Sequence, residues 1–230
     1  MTPQNSLQHT FDFFDNHFEK RKLYKLFPKF LDLRENFKRL NKEYHFPDKL
    51  DPTIFRQDIT TGVGNEQYEV QWNINEVKAY IQKNNIPSQK FHIGNVYSDR
   101  NNLDFRKVEQ YESSIEEIKD IFVVYYAPIS TFLVIDGNHR IEVAKRRGQK
   151  IVKGYGLSPF AHHQLMSTEL SKSLYTFHHN LIVLNNFSSS LKLWKLNIDR
   201  KLTADSFYSK TLHEDISFTT FKKLRLLFGL

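Results

Sequence analysis

Residues 131–148 read TFLVIDGNHRIEVAKRRG, and the order of residue types in this stretch decides the fold. Phe132 to Ile135 are apolar and predict a strand. Asp136, Gly137 and Asn138 have turn composition, and the charged amphipathic segment from about Asn138 to Arg147 predicts a helix closed by Gly148. A chain that leaves a sheet and turns at once into a helix presents free backbone amides. Together with the positive end of the helix dipole, those amides bind anions, and Gly137 permits positive φ and close approach to a ligand. Arg140 and His139 project from the first turn, where a guanidinium can grip phosphate oxygens in a fork. His139 has two uses, donation to phosphate or general acid–base work. Asp136 has three: to orient Arg140, to cap the helix, or to hold a divalent cation. The plainer reading is a common Asp-Gly-Asn turn that only caps a helix.

Outward from this stretch, Ile121 to Tyr126 (IFVVYY) predicts a preceding strand, Ala127 to Thr131 a turn, and Ile151 to Tyr155 a following strand. Phe91 to Tyr97 alternates as one further strand. Asp104 can cap a helix whose Val108, Tyr111, Ile115 and Ile118 form a single inward stripe. Asn75 reads as the cap of a short helix with Val77, Tyr80 and Ile81 inward, ended by Asn84 and Asn85 before Pro87. Thr60 to Asn65 (TTGVGN) lacks the Lys-Ser/Thr ending of a phosphate loop and predicts a hairpin turn.

The string DGNHRIEVAKRRG is similar to the glycine-turn signature of the ParB/sulfiredoxin superfamily, where DGxHR or GERR-type boxes precede an alanine-containing helix and a glycine. Asn95, Val96, Tyr97, Ser98, Asp99 and Arg100 resemble that family's NPYQPR box. KVEQYESSI, with Tyr111 and Ser114, stands in place of its EEL..SI helix, and IFVVYY in place of its P-I-x-V strand. The resemblance covers about Phe91 to Leu157. It implies an α/β (α+β) fold, compact and with a small mixed sheet, that binds a nucleotide triphosphate or diphosphate such as ATP, ADP or CTP. Carried over, Gly137, Asn138, His139, Arg140 and Arg100 touch phosphates, Asp136 supports the turn or a Mg²⁺ ion, and Asp136 and His139 are the catalytic candidates. Ser98-Asp99 replaces the Gln-Pro of the partition proteins, and sulfiredoxin's reactive cysteine has no counterpart.

The division expected is a helical arm (1–50), the nucleotide-binding domain (51–158) and a mainly helical extension (159–230). In the arm, Phe14, Phe18, Leu23, Phe27, Phe30, Leu33, Phe37 and Leu40 recur at helical spacings among Lys and Arg, which predicts two amphipathic helices broken near Pro28. The extension holds a helix from Ala161 to Leu170, a loop at Ser188 to Ser190 and a basic run from Phe218 to Leu227. Among 230 residues, 40% hydrophobic and 26% charged, there is no cysteine, which removes disulfides, zinc–thiolate sites and thiol nucleophiles. A net charge of +7 favours polyanionic partners or is simply a solvated basic surface. The first residues carry acids and His where a secretory signal needs a basic start and an apolar run, and no stretch approaches a membrane-spanning length. The expected compartment is cytoplasmic.

Glu142 reads as a surface residue, as do Glu109, Glu112, Glu116 and Glu117 on the preceding helix. His162, His163, His178 and His179 invite a metal reading with His139, but adjacent helical residues point about 100° apart and are poor ligand pairs. Trp72 and Trp194 read as core. Phosphoryl transfer or nucleotide hydrolysis at the DGNHR turn is the leading expectation. The alternatives are a nucleotide-gated DNA-binding module using the basic N- and C-terminal segments, and a protein–protein adaptor that keeps the turn for structural reasons.

Overall fold

The computed structural model describes residues 7, 9–10, 12, 16, 35, 38–39, 42, 51–62, 66–99, 103–113 and 118–190. The expected arm helices around Pro28, Trp194, the run from Phe218 to Leu227, and Arg100, Ile115, Glu116 and Glu117 lie outside them. Two compact units emerge: Asp48–Gln57 with Gln71–Ser167, and Asp58–Val70 with described residues before Pro47 and from Thr168 onward. Strands β1 (Ile54–Thr60) and β2 (Gln67–Asn73) pair with each other; Gly62 after β1 has φ 77°, and Val63, Gly64 and Asn65 of the expected turn lie outside the described residues.

The unit that carries residues 71–167 continues through helix α1 (Ile74–Lys83), β3 (Gln89–His92), a 3-10 turn, β4 (Val96–Tyr97) and helix α2 (Phe105–Ser113). After these come β5 (Ile121–Tyr126), β6 (Thr131–Asp136), helix α3 (Asn138–Arg146), β7 (Ile151–Leu157) and the short helix α4 (Pro159–Gln164). The fold is α+β, built on a five-stranded sheet in the order β3-β7-β5-β6-β4. Its pairings are mixed: β3–β7 and β5–β6 are antiparallel, β5–β7 and β4–β6 parallel.

The run from Phe91 to Tyr97 is two strands at opposite edges of this sheet, joined by the 3-10 turn Ile93–Asn95. A flat sheet of this width would hold its edges about 19 Å apart. Four Cα steps, from His92 to Val96, span at most about 14 Å. The sheet therefore curls until its edges approach. Inside the curl, Phe91, Ile93 and Val96 from the two edges cluster with Ile121, Val123, Val134 and Val152. Helix α3 adds Ile141 and Ala144 to this cluster. Gly154 on β7 faces Ile121, where an added Cβ would lie 2.5 Å from the Ile121 carbonyl oxygen.

Helix ends follow their chemistry. The N-cap of α1 is Asn73 rather than Asn75: its Oδ1 accepts from the amides of Asn75 and Glu76. Val77 and Ile81 are buried, and Asn85 at φ 49° closes the helix with amides returning to Gln82 and Ile81. Asp104 does cap α2, accepting from the Arg106 amide at 3.1 Å. Gly148 at φ 69° closes α3, its amide reaching the Lys145 carbonyl while that of Gln149 reaches Ala144. Both endings have the paired backbone bonds of a Schellman motif.

In the other unit, helix α5 runs Glu169–Ser190, so Ser188–Ser190 is helix rather than loop. The expected helix from Ala161 to Leu170 is likewise interrupted between α4 and α5. Tyr68 Oη lies 2.6 Å from His178 Nδ1 in the interior of this unit. The buried Glu66 carboxylate accepts the amides of His9 (2.8 Å) and Thr10 (2.6 Å). Trp72 is fully buried in the first unit, with Tyr126 and His162 packed against it. Among the described residues, no helix is long and apolar enough to cross a membrane.

Candidate functional site

Strand β6 ends at Asp136, Gly137 takes φ 109° and ψ 19°, and α3 begins at Asn138. The first intrahelical bond runs from the Ile141 amide to the Gly137 carbonyl, so the preceding amides have no acceptor within the helix. A cavity of about 550 Å³ opens at this turn, with Asp136, Gly137, His139 and Arg140 in its wall. The sequence brought these residues forward as a set, and the fold keeps them together.

The remaining wall comes from elements with no motif. Lys78 on α1, and Lys119 and Asp120 just before β5, supply charge; Tyr111, Phe122, Ile118 and Val143 supply apolar surface. Three ammonium or guanidinium groups thus face two carboxylates. No local signal in the sequence marks Lys78 or Lys119, because only the fold brings them to the turn.

Arg140 Nη2 lies 2.8 Å from Asp136 Oδ1, and its Nη1 donates to the Asp120 carbonyl. Lys78 Nζ is 3.6 Å from the second Asp136 oxygen and 5.6 Å from the centre of the Phe122 ring. Of the three uses open to Asp136, this geometry carries out the first: its carboxylate orients Arg140. Asn138 accepts from the Asp99 amide at 3.1 Å and donates to the Val134 carbonyl at 3.2 Å. Its side chain ties Asp99 to the turn, and Asn138 is not among the residues that line the cavity.

His139 Nε2 accepts the Asp104 amide at 3.0 Å, which leaves the proton on Nδ1 when the ring is neutral. Burial first, and then the Lys107 ammonium, hold its pKa below the ordinary value against the opposing pull of Asp104. His139 is therefore a neutral ring with one N–H to donate.

Glu142 is buried rather than on the surface, with Oε1 3.7 Å from Arg146 Nε. Ile141, Val143 and Ala144 are buried with it, because α3 is covered on more than one side. Glu109 and Glu112 are solvent-facing as expected, and Glu112 pairs with Arg146 at 2.9 Å. Tyr111 departs from the inward stripe: Val108 is fully buried, but Tyr111 is 50% exposed at the cavity. No group of three or more His, Cys, Asp or Glu residues suited to a metal occurs among the described residues. Burial pushes His162 down to about 3 and His178 to about 4, which makes both neutral interior rings. No protein-family model matches the chain, and no match was found among curated proteins.

Proposed function

We propose that the cavity at the DGNHR turn binds a nucleotide through its phosphates and serves phosphoryl transfer or nucleotide hydrolysis. The observation that carries this reading is a single cavity at a glycine turn and helix start whose lining includes Lys78, Lys119 and Arg140 together with aromatic and aliphatic side chains. Its volume, about 550 Å³, lies within the range of small-ligand sites. The resemblance to the ParB/sulfiredoxin superfamily supports the same assignment.

Phosphoryl transfer asks the protein mainly to position phosphates and neutralise their charge. Arg140, fixed by Asp136 and the Asp120 carbonyl, is pre-oriented for that role. Lys78 and Lys119 add charge, and the His139 Nδ1–H adds a neutral donor. Asp136 does not fit as a ligand for Mg²⁺, since its two oxygens already face Arg140 and Lys78. Binding is accordingly expected to survive chelation of divalent ions.

Calorimetric titration with ATP, ADP, CTP and GTP, with Mg²⁺ and with EDTA, tests the reading. Arg140 also supports the turn, so Lys119, exposed and outside the helix, makes the cleaner probe. Lys119→Glu reverses one charge beside the phosphates and is expected to weaken binding roughly tenfold at low salt, less as salt rises. A variant that binds within twofold of the wild type would remove Lys119 from the site. A wild-type protein that binds none of the four nucleotides would sink the reading.

A further inference from the structure

Resting on the phosphate reading above, we infer that Tyr111 is the stacking platform for the base of the bound nucleotide. The pocket then selects a nucleoside polyphosphate over a bare polyphosphate. A half-exposed tyrosine ring leaves apolar surface in water, a cost that a ligand with a flat face removes.

The position of Tyr111 is built. Arg147 Nη2 donates to the carbonyls of both Tyr111 and Glu112 at 3.0 Å, satisfying acceptors at the C-terminal end of α2. Arg146 Nη1 holds the Glu112 carboxylate at 2.9 Å. These arginines lie at the end of the helix whose first turn carries His139 and Arg140. One helix thus carries His139 and Arg140 at its start and anchors the Tyr111 backbone at its finish. His139 and Arg147 are separated along it by about 12 Å, at 1.5 Å per residue, a span that an extended nucleoside polyphosphate covers. Ile118 and Val143 line the same cavity and offer the edge of a base an apolar neighbour.

The stacking role is tested by titrating wild type, Tyr111→Ala and Tyr111→Phe with ATP, CTP and inorganic tripolyphosphate. The wild type is expected to bind the nucleotides more tightly than tripolyphosphate. Tyr111→Ala should weaken nucleotide binding about 5- to 150-fold, the range for loss of one aromatic stack, and leave tripolyphosphate unchanged. Tyr111→Phe, which keeps the ring, should retain nucleotide affinity. Three results overturn the stacking role while phosphate binding stands: equal wild-type affinity for ATP and tripolyphosphate, equal losses for both in Tyr111→Ala, or no loss for either. Binding of neither ligand by the wild type overturns the stacking role and the phosphate reading together.

Discussion

Gly137→Ala is expected to melt roughly 10 °C below the wild type, a loss of about 2 to 6 kcal/mol, with ligand binding lost in parallel. Two effects combine. At φ 109° an L-residue is strained, at a cost of about 1–3 kcal/mol. The new Cβ would also sit 2.7 Å from Ile121 Cγ2 and 3.1 Å from Arg140 Nε. Ile121 is fully buried in the curled sheet, and overpacking such a position costs about 1–3 kcal/mol more. Displacing Arg140 would disturb the group proposed to face phosphate. Gly148→Ala is the control, because Gly148 has φ 69° but nothing within 4 Å of a built Cβ. It should cost only about 1 kcal/mol, the backbone part alone. If thermal melts place the two variants level, the close packing of the turn against Ile121 is not what holds it.

The second large effect is acid sensitivity. His162 and His178 are buried, with pKa values pushed down to about 3 and about 4. Burial is the main cause in both cases, against the Tyr125 carbonyl bond at His162 and reinforced by His179 beside His178. In the unfolded chain each would titrate near the ordinary value of about 6.5. Below that pH the unfolded chain takes up protons that the folded chain refuses, so stability falls as pH drops, until the folded pKa is reached. From pH 7 to pH 5 each histidine should remove about 2 kcal/mol, one in each compact unit. Glu66 does not contribute in this window. Burial works to raise its carboxyl pKa, but hydrogen bonds from Thr10 and His9 outweigh it and leave a net lowering. Its stabilisation is therefore lost only as pH falls below the ordinary carboxylate range. Denaturant melts at pH 7 and pH 5, with His162→Phe alongside, check the prediction. The variant should lose less stability on acidification than the wild type, and equal wild-type stability at both pH values would contradict it.

What the sequence made legible was local. IFVVYY, the turn after it, the DGNHR corner and Gly148 each carry their own signal within a few residues, and the structure places them as read, with α3 ending one residue earlier than expected. Positions decided by a distant segment carry no such signal. The alternation from Phe91 to Tyr97 cannot show that a 3-10 turn at Gly94 carries the chain between two edges of one sheet. Glu142 looks like a surface residue until both flanks of α3 are covered, and Tyr111 looks inward although the fold leaves it half-exposed at the cavity. Asn73 and Asn75 have the same capping chemistry, and only the exit from β2 chooses between them. Lys78 and Lys119 lie far from the motif in sequence and meet it solely through the fold.

A phosphate ligand seated at the DGNHR turn is tested most directly by amide chemical-shift mapping of isotope-labelled protein titrated with ATP. Saturable shifts are expected, largest at Gly137 to Arg140, with Lys119, Asp120 and Tyr111 following at the same ligand concentrations. Shifts confined to other parts of the chain, or none at saturating nucleotide, would contradict it.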